Sequence, residues 1–322
     1  QALVTFCSGS TCPGPLPAAP LPPMKRPSPA VLTHQPAVRL VRQPGGFWAQ
    51  GQVVVVTGAN RGIGFAIAEG CVRAGFRVVL TARDVARGRS AAAALGCDFA
   101  QLDVTSAASI AGCAAEVAAR YGHVDVLVNN ASIKTKHYDL TPFVEKARAE
   151  VATNFFGTLA VCEAFLPLMG AGGRIVTVTS SGGHLALLHT EARQRQFAAA
   201  QTTMTAAELA RLMREFLADV EASRSLAHAP ALDWPHVARG WPNTAYGMSK
   251  LGQVALTKVL ARTLAPRGIS ANCCCPGSVA TALNPGGGRT TAQGAETPVW
   301  LACQPAGYAT GQFFKDRAPA VW

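Results

Sequence analysis

A run of four valines that ends in a glycine-punctuated turn and opens into a helical pattern constrains this chain more than any other feature. "QVVVVTGANRGIG" starts at Gln52, and "GFAIAEGCVRAG", which overlaps its end, carries helical periodicity closed by Gly75. Gly58, Gly62 and Gly64 let the backbone turn tightly and approach a pyrophosphate, whose charge the helix N-terminus stabilises. Set between strand and helix, this spacing predicts a dinucleotide site within a βαβ unit.

The same rhythm repeats down the chain. "FRVVLTARD", "CDFAQLDVT", "HVDVLVNNAS", "GGRIVTVTSS" and "GISANCCCPGS" read as further strands, six in all, with helices over residues of about 85–95, 106–121, 144–169 and 245–265. Such alternation predicts an α/β fold: a doubly wound, Rossmann-type parallel sheet covered on both faces by right-handed crossovers. Residues 184–243 break the pattern. Within them Thr205 and Glu208 have capping-box spacing, and Leu209, Leu212, Met213, Phe216, Leu217 and Val220 recur at helical intervals. That amphipathic helix must bury its stripe, most simply against the body of its own chain.

Residues 1–50 hold ten prolines, four basic residues and no acid; the first acidic residue is Glu69. They predict a disordered leader followed by one domain over 51–322. The leader reads as a transit peptide or, because its basic residues all follow Met24, as upstream sequence. The expected compartment is intracellular: the cytoplasm, or a plastid or mitochondrion.

The net charge of +11 is spread along the chain, which argues against a nucleic-acid partner. No uninterrupted apolar run approaches the roughly 20 residues of a membrane span. The ten cysteines include no C-x-x-C pair and no His at zinc-finger spacing, so no metal site is expected. Cys273, Cys274 and Cys275 are adjacent, but on a strand their side chains alternate and cannot converge on one ion.

Several segments together resemble the short-chain dehydrogenase/reductase family: the spacing of "TGANRGIG", "NNAS" at 129–132, "TNFFG" around Asn154, "YGMSK" at 246–250 and "PGSVAT" at 276–281. "GWPNTAYGMSK", "GAETPVWLA", "GQFFKD" and the helical insertion are similar to the family's monomeric carbonyl reductases, which use NADPH. The resemblance implies a small-molecule carbonyl or alcohol as substrate and a monomeric enzyme. Tyr246 would be the proton donor and Lys250 its partner one helical turn on. Ser181, the second of two adjacent serines, would hold the carbonyl oxygen, and Asn154 would keep a water beside Lys250. Cofactor contacts would come from Gly58, Asn60, Arg61, Gly62, Ile63, Gly64, Asn130, Tyr246, Lys250, Pro276, Gly277, Val279 and Thr281, and from Asp103, with Val104, at the adenine. Ser132, Cys275 and Ser278 fall at the substrate pocket.

The residues themselves choose the cofactor. An NAD enzyme needs an acid after the second strand, and here Thr81, Ala82 and Arg83 stand there. Arg83 and Arg61 suit the 2′-phosphate of NADPH. Three departures stand out: Ser278 replaces a typical Trp, Ser132 replaces a Gly, and the insertion is long. Alternatives within the family are a terpenoid or alkaloid ketone reductase and an alcohol dehydrogenase; from another class, a non-catalytic NADP-binding sensor or assembly subunit.

Overall fold

The computed structural model describes residues 50–135, 140–223 and 234–322, all within one compact unit, Leu40–Trp322. Apart from Gln50, the expected leader lies outside the described residues, as does a short part of the insertion. The four valines form β1 (Val53–Val56), buried at every position, as a strand covered on both faces must be. α1 (Gly62–Arg73), β2 (Arg77–Ala82), α2 (Val85–Leu95), β3 (Asp98–Gln101), α3 (Ala107–Tyr121) and β4 (Val126–Asn129) complete the first half. β5 (Arg174–Val178) and β6 (Ser270–Cys275) follow. The sheet order is β3-β2-β1-β4-β5-β6-β7-β8, and it reverses direction between β1 and β4. A crevice opens at such a reversal, at the carboxyl ends of the strands.

Two strands exceed the six expected. β7 (Phe313–Lys315) pairs parallel to β6, and β8 (Ala318–Pro319) turns back antiparallel to β7 through Asp316 and Arg317, both at positive φ. Strands of three and two residues carry too few positions for a two-residue period to show.

The helix expected over 144–169 is composite. α4 (Phe143–Val151) passes into a π-helical turn at Ala152–Phe156, then into α5 (Gly157–Phe165) and a final 3-10 turn. The run Phe143–Leu168 is long and apolar enough to cross a membrane by composition. In this fold its Val151, Phe155, Val161 and Phe165 are fully buried in the main core cluster.

The insertion contains α6 (Glu191–Ala198), α7 (Ala206–Ala222) and α8 (Pro235–Ala238). The capping box forms as the spacing requires: Thr205 N donates to Glu208 Oε2 at 2.7 Å, and Glu208 N donates to Thr205 Oγ1 at 3.2 Å. Leu209, Leu212, Met213, Phe216 and Val220 are buried against α4 and α9 (Ala245–Leu264), so the stripe is covered by its own chain. Buried Asp219 accepts from Trp241 Nε1 at 2.7 Å and pins the insertion's end to the lead-in of α9. α10 (Thr291–Ala302) covers the other face beside α1.

The three adjacent cysteines alternate as expected. Cys274 packs among Val56, Val128 and Val176, whereas Cys273 and Cys275 pack on the opposite face with Val254 and Phe313. No group of three or more His, Cys, Asp or Glu that could hold a metal occurs among the described residues.

Candidate active site

A cavity of about 450 Å³ opens where the strand order reverses. Of the expected cofactor residues, Gly58, Asn60, Arg61, Gly62, Ile63, Gly64, Arg83, Asp103, Val104, Asn130, Tyr246, Lys250, Pro276 and Thr281 line it, as does Ser132. The lining also includes Ala82, Leu102, Thr105, Ala131, Ile133, Thr153, Val178, Thr179, Ala282 and Leu283. Most of these are the immediate neighbours of motif residues at strand ends, and their apolar or small side chains carry no sequence signal. Gly277 and Val279 stand outside the lining: Gly277 lies against the Arg289 side chain, and Val279 is buried beneath Gly294.

The glycine loop is shaped for close approach. A Cβ on Gly58 would lie 2.8 Å from Ala131 Cα, and one on Gly64 only 2.4 Å from Asn130 Nδ2. Asn130 stitches the loop to β4, donating from Nδ2 to Thr57 O at 2.9 Å and Gly58 O at 3.1 Å. α1 starts at Arg61 with no side-chain cap and no acid in its first turn, whereas α2, α3, α6, α7, α9 and α10 all have side-chain caps. Its first N–H groups are left for an anion. Arg61 and Arg83 are exposed, and neither is ion-paired to a carboxylate among the described residues. This donor set fits a 2′-phosphorylated dinucleotide.

Asp103 accepts from Thr105 N at 2.9 Å and Thr105 Oγ1 at 2.7 Å, bonds that hold its carboxyl below the usual range. It does not cap α3; Ser106 does, accepting from Ser109 N. Oδ1 is thus engaged within the turn, and the carboxylate remains at the cavity wall as the adenine reading requires.

Tyr246 and Lys250 begin α9, with Lys250 Nζ 5.5 Å from the Tyr246 ring centroid. Lys250 is buried, and Nζ donates to Gln253 Oε1 at 2.8 Å and to Val178 O at 3.2 Å. Burial pulls its ammonium down to about 7, against the opposing fields of Cys275, Cys274 and Glu150. The phenol moves the opposite way from the ammonium. Burial pushes Tyr246 up to about 12, Cys275 and Glu150 add to this, and a hydrogen bond from Ser180 opposes it. The protein alone therefore favours the neutral phenol, because desolvation outweighs the opposing Ser180 hydrogen bond.

The serine expected at the carbonyl oxygen is Ser181, but it is Ser180 that acts on the Tyr246 hydroxyl. β5 ends at Val178, so neither serine is a strand residue, and the exposed Ser181 turns to Cys275 Sγ at 3.4 Å. The Asn154 side chain is held from several sides. Its Oδ1 accepts from Ser132 Oγ at 3.0 Å and Ile133 N at 2.8 Å, and its Nδ2 donates to Ile133 O and Ser249 Oγ, each at 2.9 Å. All its side-chain hydrogen-bonding capacity is thus consumed within the protein. Ser132 does not crowd the site; its hydroxyl is one of these partners. Cys275 is 4% exposed, with Sγ also 3.4 Å from Gly277 N, and sits behind the serine loop rather than in the cavity wall. Ser278 faces solvent and accepts from Asn284 Nδ2 at 3.1 Å.

A phenol and an ammonium one turn apart, placed at the end of a phosphate-ready crevice, define a dinucleotide-dependent oxidoreductase of the Rossmann type. The profile described as short chain dehydrogenase matches residues 52–209, and that described as Enoyl-(Acyl carrier protein) reductase matches 235–307. Carbonyl reductase (NADPH) 3 of Rattus norvegicus is 41% identical over 285 residues, covering 84% of this chain and 98% of the relative. Carbonyl reductase (NADPH) 1 of Mus musculus is 40% identical over 283 residues, with the same shares covered. Salutaridine reductase from Papaver somniferum superposes with a TM-score of 0.71 at 30% identity, over 82% of this chain and 99% of that one. Menthone neomenthol reductase from Mentha piperita gives 0.69 at 28%, over 83% and 99%. The chain belongs to the short-chain dehydrogenase/reductase family.

Proposed function

We propose that this chain is an NADPH-dependent carbonyl reductase acting on an aldehyde, ketone or quinone. The observation that carries the reading is the pair Tyr246 and Lys250 at the wall of the phosphate-ready cavity, with Lys250 Nζ 5.5 Å from the Tyr246 ring and Ser180 beside the hydroxyl. NADPH, when bound, supplies the hydride. Tyr246 gives its proton to the carbonyl oxygen, which is the task a protonated phenol can perform. Ser180 donates to the same oxygen and holds it at hydrogen-bond distance from Tyr246. Lys250 stabilises the phenolate left behind. Arg61, Arg83 and the uncapped N-terminus of α1 hold the phosphates, and Asn130 and Thr57 keep the glycine loop rigid.

The test is consumption of NADPH with a panel of quinones, aldehydes and cyclic ketones; absence of turnover on all of them would sink the assignment. Arg83→Ala should raise the Michaelis constant for NADPH, at a cost of about 1.5–3 kcal/mol, and leave that for NADH nearly unchanged. Equal effects on both cofactors would refute the 2′-phosphate role.

A second reading, reduction of a bulky cyclic ketone, is favoured by the likeness to the salutaridine and menthone neomenthol reductase structures and by the small, outward-turned Ser278. The same panel separates the two by relative kcat/KM. The proposal includes a monomer inside the cell, acting without membrane or nucleic acid. Its support is the α7 stripe, buried against α4 and α9. Light scattering that gives more than one chain's mass would contradict the monomer.

A further inference from the structure

Gln253 lies one turn beyond Lys250 on α9 and is 1% exposed. Its neighbours Leu251, Val254 and Leu256 are fully apolar and buried, so an amide there is costly unless each polar atom is paired. Each is. Gln253 Oε1 accepts from Lys250 Nζ at 2.8 Å, and Nε2 donates to Thr158 Oγ1 on α5 at 2.9 Å. Thr158 Oγ1 in turn donates to the main-chain carbonyl of Asn154, in the π turn, at 2.6 Å.

This chain of bonds has only one direction. The Asn154 carbonyl can only accept, which commits the Thr158 proton to it and leaves the Thr158 oxygen as an acceptor. The Gln253 amide must then present its NH₂ to Thr158 and its oxygen to Lys250. Two of the three ammonium donors are thereby fixed, on Gln253 and on Val178 O, and the third is free to turn to the cavity that Lys250 lines.

We propose that Gln253 is a positioning residue for the reduction: oriented by Thr158 and the π turn at Asn154, its amide oxygen keeps Lys250 charged and aimed at Tyr246. The chain of bonds thus links Lys250 to the main chain of Asn154 through protein atoms. The inference rests on the reading of Tyr246 and Lys250 as the reducing site. Other titratable groups around the ammonium are Tyr246 on its own helix, Cys274 and Cys275 on β6, and Glu150 on α4; Lys134 Nζ also lies over the Tyr246 ring, 5.2 Å from its centroid. None of them accepts a hydrogen bond from Nζ among the described residues.

The test compares Gln253→Met, Gln253→Glu and Thr158→Val with wild type in two measurements on the NADP-bound protein. One is the pH profile of kcat/KM; the other is the titration of the Lys250 side-chain nitrogen by NMR of ¹⁵N-lysine-labelled protein. Loss of the acceptor in Gln253→Met should move the alkaline limb and the Lys250 midpoint down by about one pH unit, and the carboxylate of Gln253→Glu should move both up. Thr158→Val frees the amide to rotate and should give a smaller downward move. A helix-packing role would lower thermal stability and leave the limb and the midpoint in place in all three, which would overturn the proposal. Should Gln253→Met fail to fold, the opposite shifts of the other two decide. A wild type without turnover would remove the enzymatic reading, while the Lys250 titration would still judge Gln253.

Discussion

Burial shifts Tyr246 and Lys250 in opposite directions, and under the proposed mechanism that difference sets the pH dependence of the reaction. Reduction needs a protonated phenol and a charged lysine. With Tyr246 raised to about 12, the phenol stays protonated across the physiological range; with Lys250 lowered to about 7, its charge is lost as pH rises through neutrality. The account therefore predicts kcat/KM for carbonyl reduction that is level on the acid side and falls above about pH 7, and a Lys250→Met variant that lacks this limb. A rate that climbs through the same range would contradict it. Spacing made the Tyr–Lys pair legible, since residues four apart share a helix face. The serine was not legible in the same way. Ser180 and Ser181 are adjacent, and the choice depends on where β5 ends, a boundary no pattern fixes to one residue. Ser180→Ala should lower kcat about 10²-fold, by loss of one donor to the carbonyl oxygen, and Ser181→Ala should stay near wild type. The reverse ranking would restore the sequence expectation. Gln253 was still less visible, because an isolated Gln in a helix acquires meaning only from Thr158 on another element.

The loop after β6 depends on elements that the sequence pattern did not disclose. Arg289 Nη1 pairs with Asp316 at 2.6 Å, in the β7–β8 turn, and reaches Pro276 O at 3.4 Å, while its side chain lies against Gly277. One arginine thus ties the Pro276–Thr281 segment, which carries two cavity-lining residues, to the sheet edge. Arg289→Ala is expected to raise the Michaelis constant for NADPH several-fold, with a smaller change in kcat, and to expose the loop to limited proteolysis. An unchanged Michaelis constant and digestion pattern would show that the segment is held without it. Motif reading found the segment itself through Pro276, Gly277 and Thr281; its tether lies eight or more residues away and forms only once β7 and β8 pair. The π turn was hidden for a related reason. Its residues, "ATNFF", suit an α-helix as well, and the extra residue in the turn is specified by what Asn154 and Thr158 bind.

Across the whole molecule, β1, β2, β4 and β5 are legible because each is a largely apolar run followed by a turn signal, and β3 and β6 are placed by the alternation around them. The motifs placed the site, and it lies where the sheet's order reverses, between β1 and β4. The insertion was legible too, through a capping box and a helical stripe, and its burial on α4 and α9 leaves the catalytic helix packed from behind by its own chain. What the sequence could not convey were polar contacts between distant segments: Asn154 with Ser132, Gln253 with Thr158, Ser180 with Tyr246. Under the proposed mechanism these contacts separate the groups that touch the carbonyl from those that support them. The central claim is that the Tyr246 hydroxyl protonates the product. It is tested most directly by measuring NADPH consumption and NADPH binding in Tyr246→Phe beside wild type, on whichever carbonyl substrate turns over. The account predicts turnover lower by about 10²–10⁴-fold with binding intact; a variant that reduces the same substrate at the wild-type rate would contradict it.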